Sequence, residues 1–177
     1  MKHTIILTAG GTGKRMGGKI PKQFLKINNT PILIHTLKSI YEFDNNFEII
    51  ITLPKEWISY WKNLLNEYNI GINHKIVKGG KERYHSIKNA LNQSSGDTIA
   101  VHDGVRPLVS HETLNRIYDA TNNHYAIVPY IKINESIREK KGLKNTSKNR
   151  EDIVIIQTPQ CFRRETLIEA YKNPFEK

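Results

Sequence analysis

Short runs of β-branched and aliphatic residues alternate with longer segments whose apolar residues recur every three or four positions. The short runs predict buried strands, and the longer segments predict helices with one buried face. The predicted strands are His3–Thr8, Glu48–Leu53, His74–Val77, Thr98–His102, Tyr125–Tyr130 and Ile153–Ile156. The predicted helices are Pro31–Tyr41, Pro54–Glu67, Glu82–Leu91, His111–Asn122 and Glu165–Tyr171. This alternation indicates an α/β fold with a mostly parallel sheet, and we expect residues 1–177 to form one domain.

One strongly polar stretch, residues 138–150, interrupts this pattern. It is too hydrophilic to pack in a core. The stretch is therefore either a disordered loop or an arm that reaches out from the domain.

The composition is that of a globular protein of 177 residues, with 38% hydrophobic residues. A chain of this length buries enough surface to fold without disulfides or a structural metal. The single cysteine, Cys161, excludes an internal disulfide and Cys-rich metal sites, and it is consistent with the reducing cytoplasm. No apolar run approaches the roughly 20 residues that span a bilayer, and the first run is too short for a signal peptide. We expect a cytoplasmic protein without a membrane segment.

The formal net charge of +10 favours an anionic partner or a solvated, lysine-rich surface. Nucleic acid and a small polyphosphate are the two candidate partners. Much of the basic excess is scattered singly among polar residues, and no basic stretch is interleaved with aromatic residues. A nucleic-acid partner is therefore not favoured.

A glycine-rich turn follows the first predicted strand, and four cations lie close to it within nine residues: Lys14, Arg15, Lys19 and Lys22. Glycines expose backbone N–H groups, and the carboxyl end of a parallel strand is where open α/β sheets bind ligands. Arg15 stands where a Walker loop needs Ser or Thr, and Met16 stands where a dinucleotide fingerprint needs Gly. The turn is either a seat for a triphosphate or a flexible surface loop.

Three later segments also carry candidate chemistry. In residues 79–86, glycines would let the backbone approach a flat ligand with Ser86 facing it, although an ordinary turn before a helix explains them equally well. In residues 102–107, Asp103 is suited to Mg²⁺, which prefers oxygen ligands, although it could simply pair with Arg106. Residues 157–162 are predicted to form a polar turn between a strand and a helix.

These segments carry four motifs in a fixed order. They are Ala9-Gly10-Gly11-x-Gly-x-Arg15-Met16 with Pro21-Lys22-Gln23, Gly79-Gly80-x-x-Arg83-x-x-Ser86, His102-Asp103-Gly104-Val105-Arg106-Pro107, and Thr158-Pro159-Gln160. Together they resemble the 2-C-methyl-D-erythritol 4-phosphate cytidylyltransferases, whose close relatives are the ribitol-5-phosphate cytidylyltransferases. The resemblance implies a Rossmann-like nucleotidyltransferase domain. In such an enzyme a phosphate oxygen of the acceptor attacks the α-phosphorus of CTP and pyrophosphate leaves.

The resemblance also implies roles for individual residues. Arg15 and Lys22 would be catalytic and would contact the α-phosphate. The nucleotide would be bound by Ala9, Gly10, Gly11, Thr12, Gly13, Lys14, Gly80, Lys81, Ser86 and Asp103. Asp103 would also hold Mg²⁺, and Arg106 and Thr158 would contact the polyol phosphate.

Members of the family form homodimers through an exchanged arm, which here corresponds to about residues 131–151. A Thr and an Arg of one chain contact the sugar phosphate bound mainly by the other. Ser136 and Arg150 fall at those places, with Ser in place of Thr. The partners implied are CTP, a polyol phosphate and a second copy of the chain.

The sequence departs from the family after Glu165, where no residues match the strand, helix and second active-site lysine that family members carry. On this basis we expect weak or absent turnover with partly retained CTP binding. Three hypotheses thus stay open: a methylerythritol phosphate enzyme, a ribitol phosphate enzyme, and a truncated, catalytically impaired CTP-binding module.

Overall fold

The computed structural model describes residues 1–11 and 20–172. Its helices are α1 (Ile32–Phe43), α2 (Ile58–Glu67), α3 (Arg83–Leu91), α4 (His111–Ala120) and α5 (Arg164–Lys172). Its strands are β1 (His3–Thr8), β2 (Lys26–Ile27), β3 (Thr30–Pro31), β4 (Glu48–Leu53), β5 (Lys75–Lys78), β6 (Thr98–Asp103), β7 (Ala126–Ile127), β8 (Tyr130–Lys132), β9 (Ile137–Lys141), β10 (Lys144–Lys148), β11 (Val154–Ile156) and β12 (Gln160–Arg163). Within the described residues, short 3-10 helices cover Lys22–Phe24, Lys55–Trp57 and Arg150–Asp152.

Six strands form the central sheet in the order β5-β4-β1-β6-β12-β7. The first four strands are parallel, whereas β12 runs antiparallel to both β6 and β7. The prediction of an α/β fold with a mostly parallel sheet is confirmed. Because β4, β1 and β6 are neighbours that run in the same direction, the segments that follow these strands leave the sheet at the same edge.

Alternate residues of the central strands pack against helices on opposite faces of the sheet. In β1, Ile5 and Leu7 belong to the core that includes α1, α2 and α4, and Ile6 belongs to the core under α3 and α5. All three side chains are fully buried. Burial of both faces explains why these strands are almost continuously apolar in the sequence.

The structure corrects the prediction for residues 157–162. Gln160–Arg163 form strand β12 of the central sheet, where Cys161 pairs with Ala100 and is fully buried. The predicted strand Ile153–Ile156 is observed as Val154–Ile156, but it pairs with β8 in a separate two-stranded sheet. The strand begins in this polar segment, and its apolar residues are Cys161 and Phe162, which pack into the cores on the two faces of the sheet.

The polar stretch is not an irregular loop, because residues 137–148 form an antiparallel hairpin of β9 and β10. Positive φ at Gly142 (62°) allows the tight connection between the two strands. Residues 141–152 are all exposed. The β8–β11 ribbon also exposes apolar side chains, among them Ile131, Ile155 and Ile156 at about half of their surface.

None of the described helices has the length and the apolar character needed to cross a membrane.

Candidate active site

Backbone hydrogen bonds join the turns at the carboxyl edge of the parallel strands. Ala9 N donates to Thr52 O at 3.0 Å, Gly79 N to Leu53 O at 2.7 Å, and Gly104 N to Thr8 O at 2.9 Å. The turns after β1, β5 and β6 are therefore fixed relative to one another. They carry three of the four motifs found in the sequence.

Ser86 joins the second motif to the first. Its hydroxyl accepts a hydrogen bond from Gly80 N at 3.0 Å and donates to Glu82 O at 3.2 Å. A Cβ placed on Gly10 would lie 3.3 Å from Ser86 Oγ, so the backbone after β1 passes directly beside this hydroxyl. The structure thus brings together three predicted nucleotide-binding residues that are far apart in the sequence.

Gly80 cannot carry a side chain in this conformation. An ideal Cβ on Gly80 would lie 2.3 Å from His85 Cβ, which is well inside van der Waals contact. The turn therefore depends on glycine because of a close approach to the start of α3. Lys81 follows on the same turn and is exposed.

Asp103, at the end of β6, is held by two arginines. Arg83 Nη2 donates to Oδ1 at 3.0 Å and Arg106 Nε donates to Oδ2 at 2.9 Å. Partial burial would raise the pKa of Asp103, but the hydrogen bonds and charges of the arginines outweigh burial and hold this pKa below its ordinary value. Asp103 is therefore an anion, and the pairing with Arg106 considered from the sequence is present.

Arg106 connects the third motif to the fourth. Its Nη1 donates to Gln157 Oε1 at 2.7 Å, while Thr158 Oγ1 lies 2.9 Å from His102 Nδ1. His102 is fully buried, and burial lowers its pKa more than the hydrogen bond to Arg106 O raises it. The ring is therefore neutral at pH 7.

Lys22 is exposed at the start of the 3-10 helix Lys22–Phe24. The next residue, Gln23, is 2% exposed, and its Nε2 donates to Ala9 O at 2.7 Å. This bond attaches the lysine turn to the end of β1, beside the predicted phosphate seat. Thr12, Gly13, Lys14 and Arg15, which were predicted to bind or activate the phosphates, lie outside the described residues.

Ser136 and Arg150 lie apart from this edge, at the base of the β9–β10 hairpin. Ile137 pairs with Lys148, which brings the segments carrying Ser136 and Arg150 to the same end of the hairpin. Arg150 Nη1 donates to Asn134 O at 2.6 Å. In the part of the chain that the structure describes, no hydrogen bond joins Ser136 or Arg150 to the residues at the carboxyl edge.

A cavity of about 590 Å³ opens beside Arg106 and Thr158. Its wall also includes His102, Gln157 and Arg116. Its volume lies within the range of small-ligand sites. Two residues predicted to contact the polyol phosphate therefore share one cavity.

The sequence profile of the 2-C-methyl-D-erythritol 4-phosphate cytidylyltransferases matches residues 3–177. The chain belongs to this family. It is 40% identical over 176 residues to the 2-C-methyl-D-erythritol 4-phosphate cytidylyltransferase of Phocaeicola vulgatus, covering 99% of this chain and 80% of that protein. It is 36% identical over 178 residues to the enzyme of the same name from Clostridium botulinum, covering 97% and 77%.

Solved structures of cytidylyltransferases share the fold. The 4-diphosphocytidyl-2C-methyl-D-erythritol synthase of Anaerococcus prevotii superposes with a TM-score of 0.83 at 23% identity, covering 99% of this chain and 79% of that chain. The 2-C-methyl-D-erythritol 4-phosphate cytidylyltransferase of Thermus thermophilus superposes with a TM-score of 0.77 at 25% identity, covering 97% and 75%. As a cytidylyltransferase family member, the chain is a nucleotidyltransferase with an α/β nucleotidyltransferase fold.

Three residues that organise this cytidylyltransferase site have no role among the sequence-based predictions. Arg83 donates a hydrogen bond to Asp103, and His102 is hydrogen-bonded to Thr158. Gln23 attaches the turn of Lys22 to the end of β1. All three stand inside the motifs quoted above, so their positions were visible. The partners of these three residues could not be read from the motifs, because each contact joins segments that are distant in the sequence.

Asp103 is also the residue to test for a metal. Among residues 1–11 and 20–172, no group of three or more His, Cys, Asp or Glu side chains could hold a metal ion by itself. Mg²⁺ in nucleotide sites usually needs only one or two carboxylates because phosphates complete its ligands. Asp103 Oδ2 accepts a hydrogen bond from Arg106 and retains a lone pair, so this carboxylate fits such a site.

Proposed function

We propose that this chain transfers the cytidylyl group of CTP to 2-C-methyl-D-erythritol 4-phosphate and releases pyrophosphate, a step of the non-mevalonate route to isoprenoid precursors. The observation that carries this proposal is the meeting of Gly10, Gly80 and Ser86 beside Asp103, at the same edge of the sheet as the cavity of Arg106 and Thr158. In this arrangement the proposed nucleotide-binding site lies next to the proposed acceptor-binding site.

The nucleotide lies on the turns after β1 and β5. Gly10, Gly11 and Gly80 expose backbone groups there, and Ser86 keeps a hydroxyl beside them. Backbone groups of these turns and the remaining lone pair of the Ser86 hydroxyl satisfy the hydrogen-bonding edge of cytosine, and a tight pocket at this place excludes purines. Lys81 adds a positive charge to the same turn.

The reaction is a direct displacement at phosphorus. A phosphate oxygen of the acceptor forms a bond to the α-phosphorus while the bond to the bridging oxygen of pyrophosphate breaks, and the electron pair leaves with pyrophosphate. No covalent enzyme intermediate is required. Positive charge that is in place before the reaction stabilises the additional negative charge of the transition state. Lys22, whose turn is fixed by Gln23, and Arg15 supply this charge.

Mg²⁺ is the cofactor we propose, with Asp103 as its protein ligand. When bound, Mg²⁺ neutralises phosphate charge. Arg83 and Arg106 keep the Asp103 carboxylate ionised and oriented toward the site.

The acceptor is held by Arg106 and Thr158, with Ser136 and Arg150 supplied by the arm of a partner subunit. The exposed apolar side chains of the β8–β11 ribbon support a homodimer, because a second copy of the chain would cover them. The polar hairpin continues from this ribbon. We place the dimer in the cytoplasm, where the single buried thiol of Cys161 stays reduced.

The decisive test is pyrophosphate release with CTP and Mg²⁺, measured with 2-C-methyl-D-erythritol 4-phosphate and separately with ribitol 5-phosphate. We expect release with the first acceptor and at least tenfold less with the second. Lys22→Ala is the matched control, which should abolish release without abolishing CTP binding.

Calorimetry separates the remaining alternatives. Heat of CTP binding without release of pyrophosphate in the presence of either acceptor would indicate the CTP-binding module and contradict the proposed reaction. Faster release with ribitol 5-phosphate would favour the other enzyme, an activity that none of the named relatives supports.

A further inference from the structure

His102 is buried at the end of β6 and joins three segments of the site. Its Nε2 lies 2.9 Å from Arg106 O, and its Nδ1 lies 2.9 Å from Thr158 Oγ1. Thr158 Oγ1 is also 3.4 Å from Asp103 N. One imidazole ring therefore lies between the turn after β6 and the segment before β12.

The direction of each hydrogen bond follows from the chemistry of the partners. Arg106 O is a carbonyl oxygen and can only accept, so Nε2 of His102 carries the proton. The ring is fully buried and its two hydrogen-bond partners are a carbonyl oxygen and a hydroxyl group, with no carboxylate to balance a second ring proton. Nδ1 is then an acceptor, and Thr158 must donate its hydroxyl proton to it. The remaining partner, Asp103 N–H, donates to Thr158 Oγ1.

The single proton of the Thr158 hydroxyl is therefore already used in the hydrogen bond to His102. The oxygen has two lone pairs, of which Asp103 N–H uses one. The other lone pair of Thr158 Oγ1 is left to face the adjoining cavity. A lone pair accepts from a hydroxyl group, whereas a phosphate oxygen would need a donor.

We propose that His102 is a positioning residue that orients Thr158 so that Thr158 accepts a hydrogen bond from a hydroxyl group of the polyol acceptor, rather than donating one to its phosphate. This inference rests on the proposed function, because it concerns the acceptor of that reaction. The phosphate group of the acceptor is then bound by cationic side chains such as Arg106, which lines the same cavity.

The kinetic test compares His102→Leu with His102→Gln. Leucine removes both hydrogen bonds, and we expect the KM for 2-C-methyl-D-erythritol 4-phosphate to rise about tenfold while the KM for CTP changes less than about twofold. Glutamine carries an amide donor and a carbonyl acceptor, so His102→Gln should bring the KM for the acceptor most of the way back to the wild-type value. An unchanged acceptor KM in His102→Leu would overturn the proposal, as would equal losses for both substrates.

A double-mutant cycle with Thr158→Val tests whether His102 acts through Thr158. The valine keeps the shape and removes the hydroxyl, so adding His102→Leu to it should raise the acceptor KM less than about twofold further. Multiplicative effects of the two changes would overturn the proposal. Thr158→Val also serves if His102→Leu does not fold, since an unchanged acceptor KM in that variant contradicts the role of the hydroxyl.

His74 provides a matched control. It is a second partly buried histidine whose two nitrogens are engaged, by Trp61 Nε1 at 3.0 Å and Ile72 O at 2.8 Å. His74→Leu should lower the unfolding free energy and leave both KM values within about twofold. A rise in acceptor KM as large as that in His102→Leu would show a general loss of packing and overturn the proposal.

Nitrogen NMR of the histidine rings gives a readout that does not need turnover. The proposal expects the Nε2-protonated tautomer at His102, and a shift of its Nδ1 resonance in Thr158→Val as the hydrogen bond is lost. Protonation at Nδ1 would overturn it. A wild-type enzyme that shows this tautomer but no turnover would contradict the proposed function and leave the hydrogen-bond direction established.

Discussion

Arg83 Nη2 donates to Asp103 Oδ1 at 3.0 Å, which ties the first turn of α3 to the carboxyl end of β6. The helix that carries Ser86 is thereby fixed against the strand that carries the carboxylate. The turn proposed to bind the nucleotide and the proposed metal ligand are held as a single unit.

Replacing Arg83 by Gln should raise the pKa of Asp103 toward its ordinary value, because one of the two charges that lower it is removed. Carbon NMR titration of the Asp103 carboxyl group measures this shift. A double-mutant cycle with Asp103→Asn should give a coupling free energy of about 0.5–1 kcal/mol, as expected for a half-exposed pair. Arg138→Gln, on the hairpin, is the control, and an equal shift in that variant would contradict the assignment.

Gly80→Ala should raise the KM for CTP about tenfold. The added methyl group would lie 2.3 Å from His85 Cβ, so the backbone must move away from Ser86. Gly71→Ala is the matched control, because nothing lies within 4 Å of its Cβ position. Steady-state kinetics with varied CTP checks the prediction, which fails if the two alanine variants behave alike.

Lys22→Ala should lower kcat by about 100-fold or more with only a modest change in CTP affinity, because its charge acts mainly in the transition state. Arg15→Ala should behave in the same way. Lys26→Ala removes a nearby exposed lysine and should retain activity. Single-turnover kinetics and calorimetry measure the rate and the affinity, and an unchanged rate in Lys22→Ala would show that the lysine is misassigned.

Mixing Lys22→Ala with Arg150→Ala subunits should restore activity if the arm serves the partner's site. One site of each hybrid dimer then has both residues intact. Random mixing of equal amounts makes half of the dimers hybrids, so about a quarter of the wild-type activity should return. Turnover no greater than the mean of the two parent variants would argue against the exchanged arm.

Glu48 should stabilise the fold mainly above about pH 5. Burial would raise its pKa, but hydrogen bonds from Lys75, Thr4 and Ser95 outweigh burial and lower the pKa from 4.5 to about 2. Since the folded-state pKa lies below the ordinary value, this stability is present above pH 4.5 and is lost as the pH falls toward 2.

Glu48→Gln should therefore lower the unfolding free energy at pH 7 by roughly 1–3 kcal/mol and flatten its decline between about pH 5 and pH 2. Urea unfolding at a series of pH values measures both effects. The surface control is Glu67→Gln, because the side chain of Glu67 is 57% exposed. Parallel curves for wild type and Glu48→Gln would contradict the prediction.

The sequence alone determined where the parallel strands lie and which residues follow them. The apolar runs of β1, β4 and β6 are buried on both faces, so their pattern is strong and their bounds were predicted within one residue. The motifs follow these strands directly. Their arrival at a common edge therefore follows from the parallel fold.

Only the tertiary structure decided the elements whose stability comes from distant partners. Gln160–Arg163 becomes a strand because β6 and β7 both pair with it, and the β9–β10 hairpin forms from polar residues that indicated a loop or an arm. The bond from Gln23 to Ala9 and the contacts of His102 with Arg106 and Thr158 join segments that no local pattern relates. Side-chain hydrogen bonds between distant segments have no periodicity, so they become visible only once the sheet has brought their partners together.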